Sequence, residues 1–267
     1  MNPDNTAEYC RLKAAEPGTS FYYATLYHSP ETQRKLFCLH AFSNELAGII
    51  SECTDPGVAR MKLAWWYEEV QRLCDRQPRH PVTRETLYLF SNPEQLHLFF
   101  TRLISFHDQQ VNLQQPQTYG ELMEFLRQGQ RLLWELSADI CTYQNPQTPQ
   151  VISELGSQIS YFRILQDMPF NEQMNRYFFP LEEVNNYSDK TGLYAVQIER
   201  LINELENINK KLPAVDRKSQ KYAIILAKII CAICREIAKS GYRLSDERIT
   251  LTPLRKFWIA WRTHRKE

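Results

Sequence analysis

The stretch SFYYATLYHSPETQRKLFCLHAFSNELAGIISE (residues 20–52) decides how the chain is read. Past Pro30 its apolar residues recur at helical spacing, Phe42, Leu46, Ile49 and Ile50 among them. The small residues Ser43, Ala47, Gly48 and Ser51 stand between them. A helix with so small and neutral a face either packs closely against a neighbour or lines a cavity. Which of the two applies depends on the rest of the chain.

The helical pattern continues outward. Only eight glycines punctuate the chain, no Asn-Gly or Asp-Gly hairpin turn occurs, and fourteen prolines cluster between periodic segments. The periodicity predicts helices over 4–14, 30–52, 56–75, 81–90, 93–113, 118–141, 148–167, 190–212, 216–240 and 251–264. Within 118–141, Leu122, Leu126, Gly129, Leu133, Leu136 and Ile140 share one face, opposite Glu124, Gln128, Arg131, Glu135 and Asp139. The segment YAIILAKIICAICREIA (222–238) is apolar nearly all round. Its cations Lys221, Lys228 and Arg235 recur every seven residues, a stripe that must reach water or an anion. No linker or repeat interrupts the 267 residues, so a single all-α domain over 1–267 is expected.

Composition excludes several classes. A net charge of +1 gives no global attraction to nucleic acid or an anionic membrane. Seven scattered cysteines fit a reducing compartment rather than a disulfide framework. The N-terminal MNPDNTAEYC carries neither a signal-peptide nor a transit-peptide pattern. A cytoplasmic, bacterial setting is therefore the expectation, at most peripheral to the inner membrane. Nucleophile-elbow, zincin and P-loop signatures are absent. Cys231 and Cys234 form a lone CxxC on an apolar helix, which reads as core. The carboxylate pairs Asp4/Glu8 and Glu135/Asp139 lie at a terminus and on a solvated stripe, poor places for a metal.

Four segments carry a resemblance. They are residues 20–52, ARMKLAWWYEEVQRL (59–73) with the following PRHPV, LGSQISYFRILQDMPFNEQMNRYFFP (155–180) and TPLRKFWIAWR (252–262). In this order they resemble the squalene/phytoene synthase family over nearly the whole chain. The resemblance implies the isoprenoid synthase fold, a bundle of about ten helices around a central cavity. There two Asp-x-x-x-Asp motifs hold Mg²⁺, which binds prenyl diphosphates for head-to-head coupling.

This chain departs from that pattern. At the first motif the acid positions hold Ala47 and Ser51, and Asn44 replaces the preceding arginine. At the second, Asp167 remains but its partner position is Asn171. Ser160, Arg163 and Gln166 stand where the family has Gln, Asn and Arg, and Phe125 stands where it has a tyrosine. Removing one electrostatic group from a reacting centre costs about 3 kcal/mol. Three lost acids then scale to roughly 9 kcal/mol, about a million-fold in rate, though such losses are not additive within one site. Asp167 is the remaining metal candidate; no cofactor is expected unless the site is active, in which case it is Mg²⁺.

The matched positions Ser20, Phe21, Arg34, Asn44, Phe125, Ser160, Arg163 and Arg176 are the implied substrate-binding residues. Arg163 is one helical turn from Asp167 and is expected either to pair with it or to serve a metal-free anion site, together with Arg176. Met61, Trp65, Trp66 and Val70 read as core, and Lys62 as a stem along the surface. The C-terminal helix reads as docked in the core, with the basic tail left for external contact.

The resemblance extends to a branch of the family that lacks the acid motifs and includes an assembly factor for respiratory complex I. It implies a non-catalytic binding or assembly protein whose partner is a protein, a prenyl diphosphate or a prenyl lipid. The alternatives are an active prenyl transferase or diphosphatase of terpenoid biosynthesis, and a degenerate subunit of an active homologue.

Overall fold

The structure, a computed structural model, describes residues 3–187, 189–244 and 248–267. The described residues are helical, with no strand among them. They gather into two compact units, one reaching to Leu113 and one beginning at Gln114.

The first unit holds α1 (Pro3–Ala15), α2 (Ser20–Thr25), α3 (Pro30–Glu52), α4 (Pro56–Cys74), α5 (Pro81–Leu89) and α6 (His97–Val111), the last preceded by a 3-10 turn, Pro93–Leu96. Proline opens α3, α4 and α5, where its missing N–H costs nothing. The Ser29 and Asp55 side chains cap the first two by accepting from Thr32 N and Val58 N. Phe42 of α3 centres the core, 5.0 Å from Trp66 and 4.4 Å from Phe100, ring to ring. The PRHPV stretch is held by the fully buried Glu69. Its Oε1 accepts from the backbone N–H groups of Arg79 (2.7 Å) and His80 (2.8 Å). Burial pushes the Glu69 carboxyl up, but these bonds, Thr83 and Arg72 together outweigh it, and its pKa lies below the ordinary value.

The second unit holds α7 (Tyr119–Cys141), α8 (Thr148–Gln166), α9 (Met168–Gln173), α10 (Leu181–Val184), α11 (Lys190–Lys211), α12 (Lys221–Lys239) and α13 (Pro253–His264), with a 3-10 turn at Ala214–Asp216. Leu122, Leu126 and Leu133 of α7 are buried as their spacing predicts, while Gly129, Leu136 and Ile140 are half-buried. Helix α8 lies very close to α7. A Cβ on Gly156 would stand 2.1 Å from the Trp134 ring, so only glycine fits there. Helix α12 is buried nearly all round, Cys231 and Cys234 included. Its cation stripe meets carboxylates: Lys228 lies 3.6 Å from Glu267, and Arg235 pairs with Glu206. Asp216, buried, accepts from Gln144 N (2.7 Å), Asn145 N (3.0 Å) and Thr148 Oγ1 (2.5 Å), fixing the loop between α7 and α8.

The helix expected over 148–167 is present as Thr148–Gln166; Pro169 stops it there by removing an N–H and crowding the carbonyl one turn earlier. Two expectations need correction. Trp66 and Val70 are core, but Met61 and Trp65 are exposed. Helix α13 is not docked by its apolar face. Lys256, Ala260 and Thr263 are its buried residues, and the stripe Leu254, Phe257 and Trp258 is exposed. No helix among the described residues is long and apolar enough to cross a membrane.

Candidate functional site

The motif positions of α3 lie in the first unit. Ala47 is half-buried, and Ser51 is exposed with its hydroxyl donating to Gly48 O of its own helix, 3.1 Å. Asn44 Nδ2 donates to Lys13 O at 2.9 Å, tying α3 to the last turn of α1. Phe21 is buried against His40, 4.3 Å between ring centres, and is a core residue. Ser20 is half-buried in the first turn of α2. Arg34 grips Glu85 with both Nε and Nη2, the latter at 3.2 Å, and Thr6 Oγ1 also donates to Glu85 at 2.7 Å. Glu85 is fully buried. Arg34 therefore neutralises a buried carboxylate of α5, whatever else its exposed edge touches.

One helical step round α3 from the motif positions, Glu45, Gly48, Ile49 and Glu52 line a pocket of about 270 Å³ with Lys13, Lys62, Trp65, Trp66 and His80. Glu45 Oε1 accepts from Tyr9 Oη at 2.5 Å and lies 3.4 Å from Lys13 Nζ. Burial, then the Glu45 carboxylate, raises the Tyr9 pKa well above that of an ordinary phenol. Burial also lowers the pKa of His80, whose ring packs 4.6 Å from Trp66. Of the acids and bases in this pocket, Lys62 alone was singled out in the sequence, as a stem along the surface. The spacing 45, 48, 49 and 52 was the available signal, since it places two carboxylates on the face that also carries the glycine.

The motif positions of α8 and α9 lie in the second unit. Asp167 occupies the junction between the helices. It does not form the expected ion pair with Arg163. Its Oδ1 lies 3.6 Å from Nη2 of Arg248, which arrives from the segment before α13. The adjacent Gln166 Nε2 donates to Ile249 O at 3.1 Å, which holds that segment in place. Burial raises the Asp167 pKa despite the opposing pull of Arg248 and Arg163. Arg163 is exposed. Desolvation lowers its pKa, opposed by Asp167 and reinforced by Arg248. Burial likewise lowers the pKa of Lys256, with Arg248 as the neighbouring cation. The structure thus collects Arg163 and Arg248 near one carboxylate, with Lys256 a further cation beside Arg248.

The remaining positions are less exposed to any ligand. Ser160 donates to Gly156 O of its own helix at 3.0 Å. Phe125 and Asn171 are half-buried, and Arg176 is 8% exposed. Beside α9 an apolar pocket of about 520 Å³ opens between Met168, Tyr177, Phe179, Tyr187 and Leu193, with Glu172 and Lys190 at its edge. Among the described residues no three His, Cys, Asp or Glu side chains are placed to share a metal ion. Glu135 of the second carboxylate pair is bound to Arg131 at 2.7 Å. Glu8 of the first pair is bound to Arg11 at 2.6 Å, and the side chain of Asp4 lies outside those described.

The chain is similar to known proteins at three levels. A squalene/phytoene synthase family model matches residues 14–255. Among curated proteins, complex I assembly factor 6 of Rattus norvegicus is 20% identical over 175 residues, 65% of this chain and 53% of that protein. The chain thus spans about half the length of that relative. Among solved structures, a dehydrosqualene synthase in complex with ligand superposes with a TM-score of 0.82 at 16% identity, over 99% of this chain and 97% of the other. The squalene synthase HpnC from Alicyclobacillus acidocaldarius superposes with a TM-score of 0.69 at 15% identity, over 90% and 95% of the two chains. These likenesses establish the isoprenoid synthase fold, and the extent of the family match settles the classification: the chain belongs to the squalene/phytoene synthase family.

Proposed function

We propose that this chain is a non-catalytic member of its family, a binding or assembly module that does not carry out Mg²⁺-dependent head-to-head coupling. The observation that carries this reading is the state of the four motif positions. Three hold Ala47, Ser51 and Asn171, and the fourth, Asp167, has Arg248 beside it at 3.6 Å. A hard divalent cation needs several oxygen ligands and carboxylate charge. Ser51 donates to its own helix, Ala47 offers no ligand, and two arginines flank Asp167, so these residues do not fit Mg²⁺. Without that ion the departure of a diphosphate lacks its electrostatic support. The resemblance to complex I assembly factor 6 supports a protein partner in the assembly of a respiratory complex.

A second reading is favoured by one observation. Arg163 and Arg248 stand together at the end of α8. Cations in that place are suited to an anion held without metal, a prenyl diphosphate head group among them. The apolar pocket beside α9 would suit a prenyl chain.

Titration calorimetry with inorganic diphosphate, with and without Mg²⁺, tests both. The non-catalytic reading predicts no metal-dependent binding. Metal-independent binding lost in Arg163→Gln supports the anion site. Tight binding that requires Mg²⁺ would sink both readings. Co-purification from the source cell tests for a protein partner.

A further inference from the structure

The outward stripe of α13 has a composition that water does not favour. Leu254 is 78% exposed, Phe257 42% and Trp258 53%. Trp261 continues the row, 5.0 Å from Trp258 and stacked with it, and the Arg265 guanidinium lies over its ring at 5.1 Å. The spacing 254, 257, 258 and 261 makes one continuous face of a helix about 18 Å long.

Beside this face lies a groove of about 460 Å³ between α11, α12 and α13. Its floor is apolar, with Leu205, Ala227 and Ile259. Five cations line it: Lys210, Lys228, Arg235, Arg262 and Lys266. Glu206 is the carboxylate in that lining, and Arg235 takes it. Lys210, Arg262 and Lys266 are exposed and make no ion pair among the described residues. A chain of net charge +1 thus concentrates positive charge beside an apolar exposed helix face.

We propose that α13 and this groove dock on an anionic lipid bilayer. The helix would lie in the interface plane with Leu254, Phe257, Trp258 and Trp261 at the acyl boundary. Lys210, Arg262 and Lys266 would meet lipid phosphates. An interfacial helix is recognised by this pairing of a Trp/Phe/Leu face with Lys and Arg. A second copy of the chain is the poorer occupant. Two-fold pairing through this face would set Lys210, Arg262 and Lys266 against themselves, while Glu206 and Glu267 are already taken by Arg235 and Lys228.

The test is co-sedimentation of the full chain with vesicles of phosphatidylcholine alone and of phosphatidylcholine mixed with phosphatidylglycerol, with tryptophan fluorescence as a second readout. The proposal expects association with the mixed vesicles, a blue shift, and weakening by salt. Leu254→Glu with Trp258→Glu should abolish association. Arg262→Gln with Lys266→Gln should weaken it about twenty-five-fold, since each cation near an anionic surface contributes about five-fold. These positions are exposed, so circular dichroism and thermal melting should stay unchanged. Equal binding to both vesicle types, no binding to either, or binding unaffected by Leu254→Glu with Trp258→Glu would overturn the proposal. So would a dimer in analytical ultracentrifugation that Leu254→Glu with Trp258→Glu dissolves, which would assign the face to a second copy.

Discussion

The two helices that carry the positions matched to the family's acid motifs differ in what stands there. Helix α3 has small residues at these positions and leaves room beside them. Gly48 opens toward a pocket, and a Cβ there would meet nothing nearer than Glu52 Oε1 at 3.6 Å. Helix α8 keeps one acid and surrounds it with cations, while its middle is packed against α7 with no room to spare. The comparison teaches that one residue type has opposite meanings in the two helices. Glycine at 156 is demanded by a neighbour, and glycine at 48 is demanded by nothing the structure contains.

That contrast is open to direct attack by substitution. Gly156→Ala should have the largest effect, a loss of about 3 kcal/mol in chemical denaturation, because the new methyl collides with the Trp134 ring in a close-packed core. Next comes Arg34→Ala, which leaves the carboxylate of Glu85 buried without its cation. Full burial of both partners would set this at 3–5 kcal/mol, roughly. The Arg34 side chain is 41% exposed, so about 2 kcal/mol is expected. If Arg34 bound a ligand instead of holding the fold, stability would stay level.

Gly48→Ala should act in the opposite direction to Gly156→Ala. An alanine inside an unobstructed helix gains up to about 1 kcal/mol over glycine. Destabilisation at 48 would mean that the pocket side of α3 is more tightly packed than Glu52 and Lys13 make it.

The smallest effect concerns pH. Burial raises the folded-state pKa of Asp167, so the folded state holds that proton more tightly than the unfolded state does. Its contribution favours folding at low pH and fades as pH rises through the folded-state value. Asp167→Asn, compared with the parent protein by denaturation across the acid range, should therefore become relatively more stable as pH rises. In Arg248→Gln the Asp167 resonance should titrate higher still. A downward shift in Arg248→Gln would break the assignment of Arg248 as the partner.

Much of the fold was legible because its punctuation is local. Prolines at the first helical positions and Ser or Asp caps marked the starts of α3 and α4 within the sequence itself. The positions of the family's acids were legible only through the resemblance, which sets the register in which Ala47, Ser51 and Asn171 stand. What stayed hidden depends on contacts made from afar. Nothing near Asp167 announces Arg248, and nothing near Arg34 announces Glu85. The spacing of α13 revealed an apolar stripe, but periodicity does not say which face a neighbour covers. Lys256 and Thr263, polar by type, took the covered side. The short helices α2, α9 and α10 span too few residues to show a period.

The central proposal is that this chain does not perform metal-dependent coupling. The measurement that tests it most directly is pyrophosphate release from farnesyl and geranylgeranyl diphosphate, with and without Mg²⁺, with products identified by mass spectrometry. The account predicts no release above buffer under either condition. Mg²⁺-dependent release with a squalene-like or phytoene-like product would contradict it, and would require Asp167 to recruit ligands outside the two motifs.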